Sequence, residues 1–250
     1  MSAMDSSPNP TELLRIAGIG TPLIGFYDVP EPEPFAPFAS PQHCIFPAYP
    51  AWQKGESVLI TKEAFSCGGA GYWLCGVESR SREQFVDFLY AKEGLKASRE
   101  LMQQWLEEHP PYQQQYPTIV IGPLRKDQYR HLRTVTFFVN PDQLSLLATA
   151  AEYHHAAREC TPVLTRFGSG CSQLAALFDD LDAPQALIGA LDIAMRQHLP
   201  PDILAFTVTK SMFEQLCEVT DDSFFYKPFW KRLQRTRANI KLERESKTSS

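Results

Sequence analysis

Six cysteines lie along the 250-residue chain: Cys44, Cys67, Cys75, Cys160, Cys171 and Cys217. No pair has Cys-x-x-Cys spacing, so the sequence signals neither a zinc ribbon nor a thioredoxin-like site. Two of them sit in glycine-rich loops after short β-branched runs. These are Ser66-Cys67-Gly68-Gly69-Ala70-Gly71 and Gly168-Ser169-Gly170-Cys171. Glycine lets the backbone come close to a ligand, and a following helix start offers free amides and a positive dipole end. The same dipole favours a thiolate, which is both the nucleophile and the metal ligand. Gly68, Gly69, Gly168 and Gly170 are therefore candidate ligand-facing positions, with Cys67 and Cys171 as the reactive atoms beside them. The structural alternative is that each cysteine is a small buried hydrophobe, and this is the favoured reading for Cys160 and Cys217.

Other chemistry is poorly signalled. No Gly-x-Gly-x-x-Gly follows a strand and no Walker loop is present, while Gly18-Ile19-Gly20 reads as a helix end. Gly168-Ser169-Gly170 has the wrong spacing for a nucleophile elbow and reads as a tight turn. His154 and His155 are adjacent near a predicted helix end, where they point about 100° apart and suit the helix dipole better than one metal ion. His43 precedes Cys44 and could polarise its thiol. Asp192 and Arg196, four apart, read as a surface ion pair. Phe137, Phe138, Phe224 and Phe225 read as core.

The elements that would position the two loops follow from periodicity and breakers. Strands are expected at Leu23–Val29, Ser57–Thr61, Thr118–Ile121, Thr134–Val139, Val163–Phe167, Ala186–Leu191 and Ile203–Thr209. Helices are expected at Thr11–Ile19, Arg82–Tyr90, Ala97–Glu108, Asp142–His155, Ser172–Phe178, Ser211–Val219 and Phe229–Arg237. Asn140 and Pro141 mark the start of the Asp142 helix as cap and first-turn residue. Pro30–Pro34 reads as an exposed connector. The implied fold is α+β, a mixed sheet surrounded by helices. Val58–Ile60 with the Cys67 loop, and Val163–Leu164 with the Cys171 loop, share a strand-turn-helix plan. The echo is weak, and chance similarity is its default explanation. One domain is expected over 11–237, with a polar, disordered tail over 238–250.

Composition narrows the class. The net charge is −5 and the hydrophobic share 44%. A mild acidic excess argues against a broad phosphate-binding face, so nucleic acid is not an expected partner. No run approaches the roughly 18 apolar residues of a membrane helix, and the first residues lack the basic segment of a signal peptide. The expectation is a cytoplasmic chain whose thiols stay reduced.

Several motifs in one order resemble a known family. They are Cys44 followed by Gly55-Glu56 and the strand Val58–Thr61; Cys67-Gly68-Gly69-Ala70; Gly122-Pro123-Leu124; Phe137-Phe138-Val139-Asn140-Pro141-Asp142-Gln143-Leu144; and Phe167-Gly168-Ser169-Gly170-Cys171. Spanning Leu13 to Leu216, they resemble the family called Domain of Unknown Function 169. The resemblance implies no settled activity. It does imply that cysteines like Cys44, Cys67 and Cys171 recur in the family, whereas Cys75, Cys160, Cys217, the proline-rich segment Pro30–Pro41 and the charged tail are local additions. Three such thiolates could hold an iron–sulfur cluster with one iron left open, or zinc. The leading expectation is a binding or redox protein for an unknown small molecule, its site built from Cys44, Cys67 and Cys171. One rival is a thiol enzyme with Cys67 or Cys171 as nucleophile; another is a sensing or scaffold module with inert cysteines.

Overall fold

The computed structural model describes residues 8–35, 44–62, 67–156, 162–166, 168–218 and 222–248. Seven strands form one sheet: β1 (Ile24–Val29), β2 (Val58–Thr61), β3 (Thr118–Pro123), β4 (Leu132–Val139), β5 (Val163–Thr165), β6 (Ala186–Gly189) and β7 (Leu204–Thr209). Their order is β2-β3-β1-β4-β7-β6-β5. Every pairing is antiparallel except β5 with β6, so the sheet is mixed and the fold is α+β. Each observed strand falls on an expected one. β-branched and aromatic runs bounded by Gly and Pro mark strands wherever both sheet faces are buried.

The helices are α1 (Thr11–Ala17), α2 (Tyr49–Trp52), α3 (Gly68–Cys75), α4 (Arg82–Asp87), α5 (Arg99–Glu108), α6 (Pro141–Glu152), α7 (Ile193–Arg196), α8 (Lys210–Cys217) and α9 (Pro228–Thr248). Asn140 caps α6 through a reciprocal pair with Gln143, with Pro141 in the first turn as expected. Helices cover both faces of the sheet. On one face Phe26, Ile60, Ile119, Ile121 and Phe138 pack with Trp52, Trp73 and Trp105. On the other, Tyr27, Val120, Val135, Phe137 and Phe206 pack with residues of α1, α6 and α8. Alternation along β4 sends Phe137 to one core and Phe138 to the other, which makes it a central, doubly covered strand.

Three expectations change here. The segment after Cys171 is a single 3₁₀ turn, Ser172–Leu174, rather than a helix to Phe178. The helix beginning at Arg82 passes into a π-helical turn, Phe88–Lys92. The Pro30–Pro34 connector is exposed as expected, with Pro32 partly covered, and leads to Phe35, which is buried against Tyr27 at 4.9 Å between ring centres. The polar C-terminal stretch is helical through Thr248, since it holds no Gly or Pro after Pro228 and many strong helix formers. Among the described residues, no helix is long and apolar enough to cross a membrane.

Candidate functional site

β2 and β5 are the two opposite edges of the sheet, yet the loops that follow them meet. Both fold over the face carrying the three tryptophans, where α3 packs against the Ser172–Leu174 turn. Cys67 is the N-cap of α3, in extended backbone, and its Sγ accepts a hydrogen bond from Ala70 N at 3.2 Å. Nearly every residue of α3 from Ala70 on is buried, which fixes this helix and its cap against the sheet.

The Cys171 loop is held by side-chain hydrogen bonds. Thr134 of β4 donates to Leu174 O at 2.7 Å, tying the turn to the central strand. Gln173 is fully buried; its Oε1 accepts from Ala190 N at 2.8 Å and its Nε2 donates to Arg166 O at 3.3 Å. Ala190 has φ +61°, a left-handed conformation uncommon for a residue with a Cβ, at the point where the chain turns from β6 towards Asp192. Asp192 then caps α7 through Ala194 N and reaches back to accept from Gly170 N at 3.1 Å. The expected Asp192–Arg196 ion pair is therefore absent. Arg196 instead donates to the carbonyls of Pro200, Pro201 and Ile203, satisfying a turn, while Asp192 fixes the cysteine loop. Gly170 allows a close approach, for a Cβ there would meet Phe46 at 2.6 Å and Met195 at 2.9 Å.

Between the loops lies a cavity of about 690 Å³ whose lining includes Cys44, Cys67 and Cys171. A Cβ placed on Gly69 would stand 3.7 Å from Cys67 Sγ and 3.8 Å from Cys171 Sγ. The two sulfurs are thus at most about 7.5 Å apart, those two lengths laid end to end. Cys44 belongs to the same group, close enough for its charge to bear on Cys171, and its Sγ accepts from Phe46 N at 3.5 Å. Gly68 and Gly69 line the cavity with Gly170, while Gly168 packs against Ser172 and Leu177 away from it. Phe46, Trp73, Phe85 and Phe88 form apolar walls. Arg80, Glu93, Asp192 and His198 add charge and polarity, with the Arg80 guanidinium 4.2 Å above the Phe88 ring.

Burial pushes the Cys171 thiol well above the ordinary range, the neighbouring Cys67 adds to this, and the Ser169 hydroxyl at 3.3 Å opposes it. Burial also raises Cys44, against the hydrogen bond from Phe46 N. Desolvation raises the Glu93 carboxyl, and the charge of Asp192 raises it further. A thiol in such a place is neutral at pH 7 unless a positive centre compensates the thiolate.

The other cysteines stand apart. Cys75 is buried in the tryptophan core, Cys217 packs half-buried on the opposite face, and Cys160 and His43 lie outside the described residues. His155 faces Gln215 at 3.4 Å, after α6 has ended. Among the described residues, no three His, Cys, Asp or Glu side chains stand close enough to hold one metal ion. The zinc alternative for Cys44, Cys67 and Cys171 therefore finds no ready-made set of ligands here. Sequence reasoning missed Arg80, Glu93 and the aromatic walls. It noticed Asp192 but assigned it the wrong partner, because a hydrogen bond to Gly170 across 22 positions leaves no local signal.

A mixed sheet covered by helices on both faces, with a cavity on one of them whose lining includes three cysteines, defines an α+β protein. The chain belongs to the family Domain of Unknown Function 169, described as an uncharacterised ArCR family, whose model matches residues 15–219. No curated protein and no solved structure matches it.

Proposed function

We propose that the chain is a ligand-binding protein whose occupant sits in the cavity between the Cys67 and Cys171 loops, with a soft, thiophilic group against the sulfurs. The observation that carries this reading is the approach of Cys67 and Cys171 to one point above Gly69, although their strands are opposite edges of the sheet. A volume of about 690 Å³ suits a small molecule. Its aromatic walls would take an apolar body, and Arg80 or Glu93 would orient a polar end. Burial raises the Cys171 and Cys44 thiols, which favours binding over a standing thiolate at either of them and sets the thiol-enzyme reading second.

The test uses phenylmercuric acetate, a soft reagent that takes one thiol. One equivalent should quench the emission of Trp73 and slow later alkylation of the other two cavity thiols several-fold. Independent labelling of Cys44, Cys67 and Cys171, each without effect on the others, would overturn the shared site.

A further inference from the structure

We infer that the thiophilic occupant is a polynuclear iron–sulfur cluster held by Cys44, Cys67 and Cys171. This rests on the binding reading above and names its ligand. A single zinc-type ion binds each sulfur at about 2.3 Å, so its thiolates must lie within about 4.6 Å of one another. Here the Cys67 and Cys171 sulfurs flank Gly69 and Cys44 lines the same cavity, and the three do not close on one point. A cluster puts a different metal atom under each cysteine, so its thiolates stand further apart and enclose a volume. The volume is provided: Gly69 has no side chain where a Cβ would fill the space between Cys67 and Cys171, at 3.7 Å and 3.8 Å from their sulfurs.

The donors around the sulfurs fit the same occupant. Ala70 N points at Cys67 Sγ and Phe46 N at Cys44 Sγ, while the Ser169 hydroxyl lies against Cys171 Sγ. Hydrogen bonds to the sulfurs are among the features that set a cluster's reduction potential. Three cysteines leave one iron without a protein thiolate, and the remainder of the cavity, walled by Phe85 and Phe88, gives a small molecule access to it. Each cysteine exchanges its thiol proton for an Fe–S bond and releases the proton to solvent. Iron supplied in both the ferrous and ferric states with sulfide assembles without an external oxidant or reductant.

The experiment is anaerobic reconstitution of the full chain with ferrous and ferric iron and sulfide, followed by desalting. Iron and acid-labile sulfide should be retained in comparable amounts, with a broad visible absorption. Cys67→Ser and Cys171→Ser should each lower both contents several-fold, and Cys75→Ser and Cys217→Ser should not. Gly69→Val keeps all three thiols and should lower cluster content to the same degree, with its fold checked by circular dichroism. Iron retained without sulfide, equal retention in the Cys67→Ser and Cys171→Ser chains, or no iron retained would each overturn the cluster. If the mercurial still couples the three thiols in that event, the cavity reading survives without the cluster; if it does not, both fail.

Discussion

The same residue type does opposite things at different places in this chain. Cys67 and Cys171 follow edge strands into glycine loops and line a cavity, whereas Cys217 packs on the far face beside Glu214 and Glu218. Burial first, then those two carboxylates, push the Cys217 thiol up to about 12. Its folded-state value lies above the usual thiol value of 9.0. The sign follows: its contribution to stability is complete below about pH 9 and is lost as the pH rises towards 12. Urea melts should therefore show wild type losing stability from pH 9 to 11 more steeply than Cys217→Ser. At pH 8, iodoacetamide should modify Cys217 more than tenfold slower in the folded chain than in urea. Parallel pH curves for the two chains would show that Cys217 is solvated. The favoured core reading of Cys217 was legible because it lacks glycine neighbours. The Cys67 and Cys171 loops were legible for the converse reason. Asp192 was not: its position suggested a partner four residues on, while tertiary structure supplied Gly170.

At the scale of elements, the strands were readable and their order was not. Composition marks β4 as a buried strand, since Val135, Thr136, Phe137 and Phe138 leave no solvent-facing position. Nothing local says that β2 and β5 end up at opposite edges, because order depends on which neighbours pair across long loops. The short helices α2 and α7 were missed for a related reason. Each spans four residues, too few for a helical period, and α7 is defined by the Asp192 cap. Phe137 tests the doubly covered strand. It is fully buried, with Phe213 at 6.2 Å and Phe206 at 6.5 Å between ring centres. Phe137→Ala should cost about 3–5 kcal/mol in chemical denaturation. The cavity thiols, on the other face, should keep their labelling rates in the variant that remains folded. A loss below about 1 kcal/mol would mean that the core collapses into the space or that the ring is not buried.

The whole molecule joins an acidic body to a basic helix. From Lys227 to Lys247 the sequence carries eight Lys and Arg against Glu243 and Glu245, while the full chain is at −5. The first turns of α9 are anchored: Trp230 is 9% exposed and donates to Ile16 O at 2.6 Å, and Leu233 packs on the same core. Arg237 reaches Asp142 of α6, an exposed pair of small energetic worth. Beyond it, Ala238, Asn239 and Ile240 are exposed. Anchoring by apolar burial, and not by helix content, therefore sets where the chain can be cut. Ending the chain after Arg237 should change stability by less than about 1 kcal/mol. It removes Lys241, Arg244 and Lys247 with Glu243 and Glu245, so the net charge moves by one unit to −6. Trp230→Ala should cost about 3 kcal/mol, the low end for a buried tryptophan because one edge meets solvent. In a chain of this size that lowers Tm by roughly 6–12 °C. Calorimetry of the two chains side by side separates the cases. A comparable fall in Tm on ending the chain after Arg237 would show that the distal turns of α9 dock on the body, and that the acidic body holds the basic helix along its length.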